Sequence, residues 1–193
     1  MRPYRLHQAA AFKLRGILMV PVLLVLFFCT EREWEYELGV WIVGLAPFVA
    51  GVALRVWAQR HLKYRLRVDH GLATTGPYAF MRNPVYVGNL LILAGLCVTC
   101  ELPWMIPLVC GWAAIVYDSA VRFEEVRLRK RHGDAYAAYC GRVHRWWPRA
   151  PSAGAMVPSA ETVCTWARAA AVEWQCLALL LIPAVKELFH PYG

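Results

Sequence analysis

Long apolar runs broken by short polar intervals constrain this chain more than any other feature. Four are plain, at about residues 14–30, 38–57, 84–100 and 103–120, and a fifth covers about 164–185. A helix rises about 1.5 Å per residue, so crossing a hydrocarbon core of about 30 Å takes roughly 20 residues. The third and fourth runs are short for this, and only Glu101-Leu102-Pro103 separates them. They read as a tight helical hairpin over residues 84–120. With 59% hydrophobic residues and nine Trp, the chain is too apolar for an ordinary soluble domain. The expected fold is all-α, a polytopic membrane protein of about five transmembrane helices.

Charge placement gives the orientation. Arg2, Arg5, Lys13 and Arg15 precede the first run; Arg60, Lys63, Arg65 and Arg67 follow the second; Arg122, Arg127, Arg129, Lys130 and Arg131 follow the fourth. The loops between are acidic, with Glu31, Glu33, Glu35 and Glu37 in one and Glu101 in the other. Under the positive-inside rule the N-terminus, the 58–83 loop and the 121–163 region face the cytosol, in a bacterial inner membrane or the endoplasmic reticulum. The net charge of +8 thus marks topology and attraction to anionic lipid rather than nucleic-acid binding. No small-x-small site follows Phe27-Phe28-Cys29-Thr30, so residues 1–30 read as a signal anchor. Residues 1–148 form the expected core, 149–163 a Pro/Ala/Ser-rich linker, and 164–193 a C-terminal hydrophobic helix carrying Arg168 and Glu173. Seven scattered Cys, with one CxxC at Cys97 and Cys100, do not complete a metal site and read as packing residues.

Polar chemistry is therefore confined to two cytosolic stretches that the hairpin brings together near Tyr86 and Asp118. Between Gly76 and Asn89, Pro77 and Pro84 interrupt regular helix, and Pro84 is suited to open a new one. Tyr78, Arg82, Asn83, Tyr86 and Asn89 crowd into this segment. Tyr86 and Asn89 share a helix face, and a polar face on a membrane helix looks into the bundle or a wet cavity. The helix N-terminus at Pro84 favours an anionic group. The plainer reading makes Tyr78 and Tyr86 interfacial anchors and places Arg82 on a lipid phosphate. Along 121–133, Val121, Glu124 and Leu128 fall on one helical face, whereas Glu125 is spaced to pair with Arg129. Gly133 ends that helix, and Tyr136 and Tyr139 lie three apart on the next. Trp146 and Trp147 read as an aromatic belt, and Arg142 and Arg145 as contacts for lipid phosphate or an anionic substrate group.

Together these blocks resemble the integral-membrane methyltransferases of the isoprenylcysteine carboxyl methyltransferase and phospholipid methyltransferase group. The counterparts are Leu72-Ala73, Gly76-Pro77-Tyr78, Arg82-Asn83-Pro84-Val85-Tyr86-Val87-Gly88, Glu124-Glu125, Gly133 to Tyr139 and Arg145-Trp146-Trp147-Pro148, spread over about residues 50–148. Asn83 stands where that pattern has His, and Arg65 to Gly71 does not match the carboxyl-methylating enzymes. The resemblance implies S-adenosylmethionine as methyl donor, held without a Rossmann sheet under a cytosolic cover. It places Leu72, Ala73, Gly76, Tyr78, Arg82, Asn83, Pro84, Tyr86, Glu124 and Glu125 around that cofactor. Arg82, Glu124 and Glu125 are the candidate catalytic residues, with His144 a further candidate base. Asn89, Tyr139, Arg142 and Arg145 are the candidates for a lipophilic acceptor entering from the bilayer. No metal is expected. The competing reading is a non-enzymatic lipid-binding or scaffold protein with the same hairpin; a transporter is disfavoured by the lack of inverted repeats.

Overall fold

The computed structural model describes residues 14, 16–29, 37–62, 71–150 and 164–189. All regular elements among them are helical: α1 (Val20–Phe28), α2 (Glu37–His61), α3 (Pro84–Thr99), α4 (Ile106–Arg142), α5 (Trp166–Val172), α6 (Trp174–Ala178) and α7 (Leu181–Phe189), with short 3₁₀ turns at Ile17–Met19, Gly76–Ala79 and Pro103–Met105. The acidic loop at 30–36, the basic stretch at 63–70 and the linker at 151–163 fall outside the described residues.

The hairpin over 84–120 is formed by α3 and the first part of α4. Proline opens α3, as its missing N–H and fixed φ favour. At the tip, Glu101 takes φ +61°, and the Leu102 amide donates back to the Cys97 carbonyl at 2.8 Å. Leu102 is fully buried there, which pins the turn before Pro103 starts the return. Beyond the membrane-length portion, α4 continues without interruption to Gly133, where φ +50° and ψ −123° break it. The span and the charged 121–132 segment are thus one rod.

Glycines set how α2 meets α3. A Cβ on Gly51 would lie 2.6 Å from the Gly88 carbonyl oxygen, and one on Gly95 would lie 2.7 Å from that of Gly44. Close backbone approach at such small-residue pairs is how helices associate where lipid offers no hydrophobic drive. The two pairs, 44 with 95 and 51 with 88, keep α2 and α3 in contact along most of their length.

By length and composition, Leu38–His61 and Pro103–Arg142 are long and apolar enough to cross a membrane. Ile17–Phe28 and Pro84–Thr99 are apolar but shorter. The fifth run is not the single straight helix expected. It breaks at Glu173 and bends by 49° between Trp166–Val172 and Trp174–Val185, making a third span if counted as one. The break has a reason: Glu173 is 1% exposed and turned inward onto α2.

Candidate active site

A cavity of about 420 Å³ lies between α2, α3, α4, the 71–83 segment and the start of α6, a size common for small-molecule sites. It has two polar ends.

At the first end the 71–83 segment is held from both sides. Gly76 has φ +60°, and a side chain there would run into the His61 imidazole, so the turn needs glycine. His61 Nδ1 in turn sits 3.0 Å from Thr75 Oγ1, bracing the loop against the end of α2. On the other side the Tyr139 hydroxyl donates to the Tyr78 carbonyl at 2.7 Å. The chain leaving α4 then pairs with the turn. The Arg82 amide donates to the His144 carbonyl at 2.9 Å, the Arg149 amide to that of Phe80 at 2.9 Å, and Asn83 Nδ2 to that of Arg145 at 3.1 Å. Leu72 packs on the buried Tyr136, Tyr139 and Val143.

Charges join the two polar stretches. Arg82 Nη2 is 3.0 Å from Glu125 Oε1. Arg145 grips the same carboxylate with both arms, Nε to Oε1 at 2.9 Å and Nη2 to Oε2 at 2.7 Å, and reaches Asp118 Oδ1 at 3.5 Å. The bond to Glu125 raises the Arg145 pKa further above its ordinary value. Glu125 therefore does not pair with Arg129 as its helical spacing predicts. The break at Gly133 returns the chain so that Arg145, 20 residues on, meets Glu125 in a forked geometry that a one-turn neighbour on an exposed face cannot match. Arg82 Nε is buried and, among the described residues, has no hydrogen-bond partner.

Leu72, Ala73, Tyr78, Arg82, Asn83, Tyr86, Glu124, Glu125, Asn89 and Tyr139 all line the cavity. The Tyr86 ring stacks at 5.0 Å on Tyr117, another lining residue. Five expected site residues do not line it, among them His144, which is exposed and meets the Arg82 amide through its backbone carbonyl. Gly76 and Pro84 are buried in its frame. Arg142 is exposed and bonds to its own helix at Ala138. Arg145 stands behind Glu125.

The second end was not anticipated. Arg55 and Gln59, one turn apart on α2, both line the cavity although they are 8% and 3% exposed. Arg55 Nε donates to Glu173 Oε2 at 2.7 Å, and its Nη2 reaches the same oxygen. Arg55 Nη1 donates to Asn89 Oδ1, and Gln59 Nε2 to Glu173 Oε1 at 2.6 Å. The available signal was the one-turn spacing of two polar residues in an otherwise apolar run. Nothing in the sequence joined them to Glu173, 118 and 114 positions away. Among the described residues, no group of three or more His, Cys, Asp or Glu is placed to hold a metal ion.

Residues 40–135, about half of the chain, match the family described as phospholipid methyltransferase. Over 137 residues the sequence is 26% identical to the nickel-cobalt-cadmium resistance protein NccN of Alcaligenes xylosoxydans xylosoxydans, covering 68% of this chain and 62% of the relative. Over 169 residues it is 27% identical to the cobalt-zinc-cadmium resistance protein CzcN of Cupriavidus metallidurans, covering 84% of this chain and 76% of the relative. The chain thus spans less than two thirds of the first of these relatives. No solved structure matches.

Proposed function

The chain belongs to the phospholipid methyltransferase family, and from that premise we propose that it transfers a methyl group from S-adenosylmethionine to a lipophilic acceptor that reaches the cavity from the bilayer. The observation that carries this reading is Arg82. A buried guanidinium nitrogen without a partner, on a cavity wall beside two carboxylates, is a site short of one acceptor. The donor's carboxylate is such an acceptor, and the α3 N-terminus beside it favours the same charge. Tyr78 and Tyr86 offer aromatic faces to adenine or to a cationic sulfur, and Glu124 suits the donor's ammonium or sulfonium. These residues fit the cofactor.

Bound there, S-adenosylmethionine supplies a methyl group whose bonding pair returns to sulfur as the acceptor's lone pair forms the new bond. The chain's own work is positioning and exclusion of water. Arg82 and the tyrosines fix the donor, while Val85, Val121 and Leu128 keep the neighbouring wall apolar. Glu125 is held by two guanidinium groups and serves as a strut for Arg82 rather than as a base. Glu124 is the carboxylate in this reading that takes a proton, where the acceptor has one to lose. The site faces the cytosol in the orientation expected from the basic clusters.

The relatives' names bring metal resistance to this chain as a possible cellular setting. The activity proposed here remains methyl transfer, on the geometry around Arg82.

Calorimetry of the detergent-purified protein with S-adenosylmethionine tests the reading. Saturable binding is expected, weakened about tenfold or more by Arg82→Ala and by Glu124→Ala. Labelled methyl should then pass into total membrane lipid. Absence of donor binding returns the chain to the lipid-binding or scaffold reading; binding unchanged in both variants removes the site assignment.

A further inference from the structure

The second polar end of the cavity carries information about the acceptor. Arginine can only donate hydrogen bonds and an ionised carboxylate can only accept them. Arg55 on Asn89 Oδ1 therefore fixes the Asn89 amide, leaving Nδ2 as its uncommitted donor. Glu173 on Gln59 Nε2 fixes the other amide, leaving Oε1 as its uncommitted acceptor. Among the described residues neither of these two atoms has a hydrogen-bond partner, and both side chains line the cavity. Gln59 is only 3% exposed, so the little surface it keeps open toward the cavity suits a ligand group or water.

The charge balance narrows the ligand. The Arg55 cation is matched by the Glu173 carboxylate, so this end is dipolar but neutral. Along α2, Arg55 lies about 9 Å and Gln59 about 3 Å from His61, the last residue of the helix. An ammonium group placed there would meet the Asn89 N–H donors and the Arg55 cation. A carboxylate would meet the Gln59 carbonyl and the Glu173 anion. A hydroxyl satisfies both, accepting from Asn89 and donating to Gln59.

We propose that Gln59 and Asn89 form the recognition site for the acceptor's polar group, and that this group is uncharged and both donates and accepts hydrogen bonds: a hydroxyl on a long-chain or aromatic lipophile. This rests on the methyl-transfer reading for the word acceptor, but the binding site stands on its own geometry.

The test uses three tritiated probes of one chain length: dodecan-1-ol, dodecylammonium and dodecanoate. Equilibrium binding is measured on the purified protein, and native-to-variant ratios cancel partitioning into the micelle. The native protein should bind the alcohol most tightly. Asn89→Asp keeps the oxygen that Arg55 holds but exchanges the donor for a charged acceptor. It should weaken the alcohol roughly tenfold and strengthen dodecylammonium above its native affinity. Gln59→Met, checked for folding by thermal unfolding, should weaken the alcohol roughly three- to tenfold without favouring the amine. Tighter native binding of either charged probe overturns the proposal, as does an alcohol-to-amine ratio unmoved by Asn89→Asp or alcohol binding unmoved by Gln59→Met. Donor calorimetry on the same samples separates the two readings. Probe selectivity as expected without donor binding sinks methyl transfer alone; donor binding with unmoved probe ratios sinks this inference alone.

Discussion

Arg145 holds both oxygens of the Glu125 carboxylate, at 2.9 and 2.7 Å, while Glu125 Oε1 also accepts from Arg82 at 3.0 Å. The position of Arg82 on the cavity wall therefore depends on a residue that does not line the cavity. Arg145→Ala should release Glu125 and let Arg82 turn toward it, weakening donor binding about five- to tenfold. Arg145→Lys can meet one oxygen at a time and should fall between. Calorimetry checks the order; equal affinity in all three proteins would remove the positioning role.

The same pair predicts a pH response. Hydrogen bonding to Glu125 raises the Arg145 pKa in the folded protein above its ordinary value. A raised cation pKa contributes stability that is fully present below the unfolded value and is lost as the pH rises from there through the folded one. The difference in thermal stability between the native protein and Arg145→Ala should then stay constant from about pH 7 to pH 10. A difference that shrinks on the alkaline side would mean that the pair does not contribute in solution.

What was legible in the sequence was whatever local rules govern. The apolar runs marked α2, α3 and α4, Pro84 marked where α3 starts, and Gly133 marked the break. The two motif stretches were close enough in the hairpin's geometry for Arg82 and Glu124 to be expected on one cavity. What was not legible depended on distant partners. Glu125 was assigned to Arg129 because helical spacing sees one turn ahead, whereas the forked contact with Arg145 arises only once the chain has doubled back. Glu173 was noticed as a charge in an apolar run, but whether it faced lipid, water or protein turns on α2, more than a hundred residues earlier. The break it makes in the last span follows from that partner, not from any glycine or proline at the site.

Close contact between α2 and α3 makes a separate prediction. Gly51→Val or Gly95→Val would force the two backbones apart at the points where a Cβ already lies within 2.8 Å of neighbouring oxygen or backbone nitrogen. Overpacking of this kind costs about 1–3 kcal/mol, more where backbone rather than a side chain must move. Gly111 has open space around it, so Gly111→Ala should leave unfolding in detergent nearly unchanged. Comparable losses at all three positions would argue against close packing of these helices.

The pair between Arg55 and Glu173 gives the sharpest stability test, because its side chains are 9% and 1% exposed. Solvent screening is slight there, and removing one partner strands the other in an apolar surround. Each of Arg55→Met and Glu173→Met should lower the unfolding free energy by about 3–5 kcal/mol. Replacing both removes the stranded charge, so the double variant should be clearly more stable than the sum of the singles predicts. The Gln59 and Asn89 amides then lose the partners that fix their orientation. The double variant is accordingly expected to fold yet to bind dodecan-1-ol less tightly than the native protein. Additive losses across the cycle would show that the two charges do not meet, and would return Glu173 to an independent place in the last span.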